Sequence, residues 1–388
     1  MKQIPPIDLT RQHELIEQEL ATAVLAVLKS GRYIGGTAVT DFEQQFANYI
    51  GVSECVGCNS GTDALYLALR ALNIGQGDEV ITTSFTFIAT AEVITRVGAK
   101  PVFVDIEPHT FNLDLNLVEP AITERTKAII PVHLFGQPID MTRLMAIANQ
   151  YNLYVIEDCA QAIGAEWQDQ KVGSIGHIGC FSFFPTKNLG ACGDAGALTT
   201  SDRHIAAQVK LLREHGLDRS VDNRVSYSHL VTGLNSRLDA LQATILQIKL
   251  RYLEEWNQQR IEAAQYYQQI LQPLPALKLP QTLPEGKSVW NQYTIRIPDL
   301  FNQSELTRDL IRAQLGQMGV IAMVYYPLPL HLQPVYQPLG YQKGQLPVCE
   351  QVAQEVLSLP LFPGIETEEQ QQVVYCLKDC LSFLPNHF

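Results

Sequence analysis

The stretch CFSFFPTKNLGACGDAGAL, Cys180–Leu198, decides how this sequence is read. Five mostly apolar residues, Cys180–Phe184, predict a buried strand, which Pro185 ends. A loop carrying Gly190, Gly193 and Gly196 follows. Lys187 sits where strand meets glycine-rich loop, beside aromatic surface. Partial desolvation there disfavours the ammonium and lowers its pKa from about 10.4. The free amine can then attack a carbonyl, as a Schiff-base lysine must. Most lysines are solvated surface charges, so this reading depends on what the rest of the chain brings to Lys187.

The 388 residues suffice for a large core and two domains. A 46% hydrophobic and 18% charged composition is that of an ordinary soluble globular protein. The net charge of −12 argues against a sequence-independent grip on nucleic acid or an anionic membrane, but leaves room for a local anion pocket. The N-terminal MKQIPPIDLTRQHELIEQEL has no apolar signal core, and no apolar run approaches membrane-spanning length. Cys55 and Cys58 have a zinc-like spacing, but the remaining close pair, Cys376 and Cys380, is spaced differently and lies far along the chain. ECVGC reads better as apolar packing, so no metal is expected. The cysteine usage fits a reducing cytoplasm.

Strand patterns alternate with helical ones over the first 260 residues. Strands are expected at Glu54–Cys58, Glu79–Thr83, Pro101–Ile106, Ala128–Phe135, Leu153–Asp158, Cys180–Phe184 and Gly196–Thr200. Helices such as Thr62–Leu72 and Met141–Tyr151 lie between them. The pattern predicts an α/β fold with a mostly parallel, doubly wound sheet. The last two strands lack an intervening helix, which suggests an antiparallel member. One long amphipathic helix is expected over Ser236–Leu271, then a proline-rich linker at Pro273–Pro284. A strand over Val289–Ile297 and a helix near Ser304–Gly319 indicate a smaller α/β domain. The expected division is residues 1–260, a large domain with an N-terminal arm, and 261–388.

Ligands of doubly wound sheets bind outside the carboxyl ends of the strands. Three groups fall there. In NSGTDAL, Asn59–Leu65, the amides of Gly61 and Thr62 open a helix and favour an anion, with hydroxyls from Ser60 and Thr62. A plain helix cap by Ser60 is the simpler alternative; Asp63 should point away from any anion. Asp158 ends its strand, where it either caps the next helix or pairs with a cationic ring nitrogen, with Gln161 one turn on. Lys187 is the third, with Ser182 five residues upstream. Anion cradle, buried acid and amine together match the needs of pyridoxal 5′-phosphate.

The sequence resembles the DegT/StrS-type nucleotide-sugar aminotransferases, among the fold type I (aspartate aminotransferase-like) pyridoxal-phosphate transferases. The resemblance runs through IDLTRQ (Ile7–Gln12), GRYIGG (Gly31–Gly36), SGTDAL (Ser60–Leu65), TFIATAEVI (Thr86–Ile94), KAIIPVHLFGQPIDM (Lys127–Met141), IEDCAQAIGA (Ile156–Ala165), FSFFPTKNLGACGDAGA, NSRLDALQA (Asn235–Ala243) and LSLPLFP (Leu357–Pro363). It implies that Lys187 forms the Schiff base, Asp158 pairs with the pyridine nitrogen, Gln161 contacts the ring hydroxyl and Phe87 stacks on the ring. It also implies that Ser60, Gly61, Thr62 and Ser182 hold the phosphate. Asn235 matches a residue that reaches the neighbouring subunit's phosphate, implying a homodimer; core packing for Phe87 and a helix cap for Asn235 are compatible local roles.

The implied reaction moves an amino group from L-glutamate to a keto carbon of a nucleotide-linked sugar. LREHG (Leu212–Gly216), NSRLDALQA and VWNQYTIR look closest to the 3-amino branch, so C3 is favoured over C4. Arg32, Tyr33, Arg237, Tyr325, Tyr326 and His331 are the candidate sugar or nucleotide contacts. Three departures stand out: Cys159 where alanine is frequent, Ala195 for glycine, and Tyr325 where histidine is common. The rival readings are a sugar dehydratase using pyridoxamine phosphate, whose relatives replace the lysine by histidine, and a regulatory or sensor protein on the same fold.

Overall fold

Strands form where apolar runs can be buried on both faces. In chain order they are β1 (Glu54–Cys58), β2 (Glu79–Thr83), β3 (Lys100–Val104), β4 (Thr126–Ile130), β5 (Tyr154–Asp158), β6 (Glu166–Trp167), β7 (Gln170–Lys171), β8 (Ile178–Ser182), β9 (Gly196–Thr200), β10 (Gly286–Lys287), β11 (Tyr293–Arg296) and β12 (Val356–Leu359). The structure is a computed structural model that describes residues 3–217, 228–298 and 307–382. Its central sheet has seven strands in the order β1-β9-β8-β5-β4-β2-β3. All neighbours are parallel except where β9 meets β1 and β8. The antiparallel member is thus β9, reached from β8 without a crossover helix.

The helices are α1 (Thr10–Ser30), α2 (Thr37–Ile50), α3 (Gly61–Ala71), α4 (Ala89–Arg96), α5 (Val118–Ala121), α6 (Met141–Gln150), α7 (Arg203–Leu212), α8 (Ala240–Leu250), α9 (Leu253–Leu271), α10 (Thr307–Gln317), α11 (Pro347–Glu355) and α12 (Thr367–Ser382). Apolar residues of α3, α4 and α7 cover one part of the sheet, packing with Val56, Ile130, Ile156 and Leu198. Phe42, Phe46, Leu238 and Leu246 pack with Phe181 and Phe183 elsewhere. Among the described residues no helix is long and apolar enough to cross a membrane.

A second core joins Tyr267 and Leu271 of α9 to Tyr293, Ile295, Leu315, Leu357 and Leu377. The N-terminal arm enters it through Ile4, whose N–H donates to Gly319 O and whose carbonyl accepts from Ile321 N. Helix α9 itself passes through residue 260.

Several expected elements end differently. The strand expected over Cys180–Phe184 is β8, Ile178–Ser182, and stops at Ser182 because the Phe184 N–H turns to Ser182 Oγ and its carbonyl accepts from Lys187 N. The run Ala128–Phe135 is a strand only to Ile130, because Pro131 lacks an N–H and the chain then turns, with Phe135 at φ 59°. The single helix Ser236–Leu271 is broken. Residues 235–239 are non-helical: Ser236 N–H donates to Arg213 O, its hydroxyl to Asn59 Oδ1, and Ile34 bridges Asp239. The helix breaks again at Arg251–Tyr252 because its apolar residues serve two places. Ile245 and Ile248 pack with Ile16 and Leu20 of α1, whereas Tyr267 and Leu271 fill the second core. The expected helix near Ser304–Gly319 appears as α10; residues 304–306 lie outside the described residues.

Candidate active site

The register of the sheet aligns the ends of β1 and β8, since Cys58 and Ser182 both pair with Gly196 of β9. The turn after β1 therefore faces Ser182. Gly61 is required at this approach: a Cβ there would lie 2.6 Å from Ser182 Cβ and 3.1 Å from its Cα. Gly196 is required from the other side, where a Cβ would collide with the Ser60 carbonyl. Ser60 Oγ caps α3 by accepting from Asp63 N (3.1 Å), and also donates to Asn59 Oδ1 (3.2 Å). Capping leaves the Gly61 and Thr62 N–H groups without a partner among the described residues, at the positive end of the helix dipole. Asp63 points away, towards Arg96 at 3.4 Å. An anion is thus offered two amides with the Thr62 and Ser182 hydroxyls nearby.

Asp158, 5% exposed, ends β5 beside Cys180 of β8. Burial pushes its carboxyl above the ordinary value, opposed by Thr90 and Ala160 hydrogen bonds and by the charges of Lys187 and His133. Thr90 Oγ1 donates to Oδ2 (2.9 Å) and Ala160 N to Oδ1 (3.1 Å). A carboxylate offers about four acceptor sites, so each oxygen has capacity for a further donor. The neighbouring Glu157 is held by Gly173, Ile175 and Gly176 N–H groups and by His133.

Lys187 follows β8 in a turn closed by its N–H to Phe184 O at 2.8 Å. Burial pushes its ammonium down to about 8, and the Asp158 charge limits the fall. Gln161 accepts from Phe135 N (2.8 Å), which directs its amide nitrogen to Tyr326 Oη (3.2 Å). Phe87, at the entrance of α4, is 57% exposed and therefore not a core side chain; its ring centre lies 6.4 Å from that of Tyr326. Tyr325 packs edge-on against Tyr326 at 5.8 Å.

His331 is enclosed by protein. Its ring is 1% exposed and both nitrogens are engaged, Nδ1 with Ser84 Oγ (2.7 Å) and Nε2 with Glu350 Oε1 (3.1 Å). No ring nitrogen is left for a sugar. Arg32, Tyr33 and Asn235 are exposed on one surface, joined by the Ile34–Asp239 bridge and by Ala240 N–H to Tyr33 O. Arg237 is half-buried there. Asn235 caps no helix, since α8 begins at Ala240. Cys159 and Ala195 are buried with ordinary backbone bonding, so both departures are absorbed by packing. Burial pushes the Cys55 and Cys58 thiols up, Cys58 to about 12. Sequence reasoning missed Thr90, which lies in the first turn of α4.

The model of the DegT/DnrJ/EryC1/StrS aminotransferase family matches residues 14–378. This chain belongs to that family. Its relatives include a Geobacillus stearothermophilus "pleiotropic regulatory protein", 47% identical over 96% of both chains. An Acidithiobacillus ferrooxidans UDP-N-acetyl-3-dehydro-alpha-D-glucosamine 3-aminotransferase is 43% identical over 97% of this chain and 98% of that one. The crystal structure of S. venezuelae DesV in complex with a ketimine intermediate superposes with a TM-score of 0.92, at 40% identity and with 98% of each chain covered. The fold is that of the family's fold type I enzymes, and the chain is an aminotransferase. Its cofactor is pyridoxal 5′-phosphate. The cleft residues fit that group: free helix amides for a phosphate, an under-coordinated buried carboxylate for a cationic nitrogen, and an amine of lowered pKa.

Proposed function

We propose that the chain transfers the amino group of L-glutamate to C3 of a nucleotide-linked 3-keto sugar. The reading is carried by one observation: Lys187, Asp158 and the Gly61–Ser182 cradle meet at the same end of the sheet. The 3-amino products or 3-keto substrates in its relatives' names support C3.

Gly61, Thr62 and Ser182 hold the cofactor phosphate, with Ser60 capping the helix that presents the Gly61 and Thr62 amides. Asp158 holds the ring nitrogen, Gln161 the ring hydroxyl, and Phe87 covers the ring face. Pyridoxal phosphate bound there supplies an aldehyde for condensation with amines and an electron-accepting ring. Lys187 Nζ, whose ammonium burial pushes down to about 8, takes the Cα proton of the donor, then returns a proton to the sugar carbon that receives nitrogen. Tyr326 and Tyr325 line the approach to Gln161 and are the sugar-facing side chains. The exposed surface of Arg32, Tyr33, Asn235 and Arg237 faces a second copy of the chain. In that homodimer Asn235 reaches the partner's phosphate site, and Arg32, Tyr33 and Arg237 reach the nucleotide. His331 acts indirectly, by fastening the segment that carries Tyr325 and Tyr326. The enzyme works in the cytoplasm.

An absorbance titration tests the reaction. Glutamate should abolish the band of the lysine-linked cofactor, and one nucleotide 3-keto sugar should restore it. Amination only at C4, or a band insensitive to every amino donor, would defeat the proposal.

A further inference from the structure

Asp158 is a buried carboxyl group whose surroundings include two threonines without an assigned role, Thr86 before α4 and Thr90 in its first turn. Thr90 Oγ1 lies 2.9 Å from Asp158 Oδ2, and Thr86 Oγ1 lies 3.3 Å from Thr90 Oγ1. A threonine has one hydroxyl proton. Thr90 commits its proton to the carboxylate, so the Thr86 hydroxyl is the donor within the threonine pair. Thr86 and Thr90 are 3% and 1% exposed, which leaves no bulk water to replace either bond.

We propose that Thr90 is a positioning residue of the active site, whose hydroxyl orients Asp158 and keeps it ionised for the ring nitrogen of the cofactor. This rests on the assignment of Asp158 to that nitrogen. The two bonds to Asp158 fix the carboxylate plane, one on each oxygen, and leave an acceptor site for a ring N–H. Burial works against ionisation, and the Thr90 hydroxyl is the foremost group opposing it. Lys187, His133, Tyr326, Cys159 and Cys180 also face the carboxylate. Burial raises the pKa of the last three, so they stay neutral near neutral pH and add no competing charge. Were Asp158 protonated, it would no longer counter the charge of a protonated ring. The same turn carries Phe87, whose carbonyl accepts from Thr90 N, so one segment sets both the face and the edge of the ring site.

Two pairs of variants isolate the hydroxyl: wild type against Thr90→Val, and Thr90→Ser against Thr90→Ala. Each pair removes the hydroxyl, replaced by a methyl in valine and by hydrogen in alanine, so the second pair serves if valine impairs folding. The readouts are the Asp158 carboxyl titration by carbon NMR in cofactor-free protein, assigned with Asp158→Asn, and the dissociation constant of pyridoxal phosphate. Loss of the hydroxyl should raise the Asp158 titration by roughly one pH unit and weaken cofactor binding about tenfold, the size of a hydrogen bond to a charge. Serine should retain near-wild-type values. Unchanged titration and affinity in valine and alanine variants, with Asp158→Asn still impaired in cofactor binding, would overturn the role of Thr90 alone. If Asp158→Asn also bound the cofactor as wild type, the Asp158 assignment would fall and the role of Thr90 with it.

Discussion

Gly61 packs directly against Ser182 where the turn after β1 meets the end of β8: a Cβ on Gly61 would lie 2.6 Å from Ser182 Cβ. Gly61→Ala therefore overpacks the cradle and should cost about 1–3 kcal/mol in thermal unfolding of the cofactor-free chain. It should also reduce cofactor affinity. Adding Ser182→Gly should restore part of the stability but not the affinity, because the 2.6 Å clash disappears, the 3.1 Å contact with Cα stays, and the hydroxyl proposed for the phosphate is lost. Additive stability losses in the double variant would contradict this geometry.

Lys187 makes cofactor-free stability depend on pH in a definite direction. Its ammonium is pushed down from 10.5 to about 8 by burial. Between those values the unfolded chain binds more protons than the folded one, so stability rises with pH. Below pH 8 the lysine is charged in both states and carries its full penalty. Wild type should thus gain on Lys187→Ala as pH rises from about 8 towards 10.5, by at most about 3 kcal/mol. Urea unfolding of both proteins at several pH values reads this difference; parallel curves would refute it.

Gln161 serves the fold through its oxygen and the cleft through its nitrogen. Gln161→Ala strands the Phe135 N–H and should destabilise the chain by about 1–3 kcal/mol. Gln161→Glu keeps an acceptor for Phe135 and should cost clearly less stability, while losing the donor towards Tyr326. Equal stability of the two variants in chemical denaturation would show that the Phe135 contact has no weight.

The surface holding Asn235 gives a complementation test of the proposed homodimer. Lys187→Ala and Asn235→Ala subunits should each be weakly active alone. Unfolded together and refolded, they should recover about a quarter of wild-type activity, since half the dimers are hybrids with one intact site of two. No recovery from well-folded hybrids would place Asn235 outside the partner's site.

The N-terminal arm is part of the second core. Ile4 is 1% exposed, so Ile4→Ala should cost about 2–5 kcal/mol by calorimetry or denaturant. A neutral result would mean that the arm docks without contributing to the C-terminal cluster.

By itself the sequence determined the features that depend on neighbours along the chain. Apolar runs bounded by turn residues located β1, β2 and β9, and Ser60 before α3 marked the amide-rich turn, because strand burial and helix capping are local requirements. The end of β5 at Asp158 was legible for the same reason, and Pro185 marked the loop that carries Lys187. The tertiary structure decided what happens where distant segments compete for one residue. Asn235 looked like a helix start, yet Asn59, Arg213 and Tyr33 hold the residues after it in a non-helical course. His331 looked available for a ligand, yet Ser84 and Glu350 take both of its nitrogens. Thr90 looked like any helical threonine until the sheet brought Asp158 against it from 68 residues away. A hydrogen bond depends on where two atoms meet, and only the assembled sheet sets that for residues so far apart.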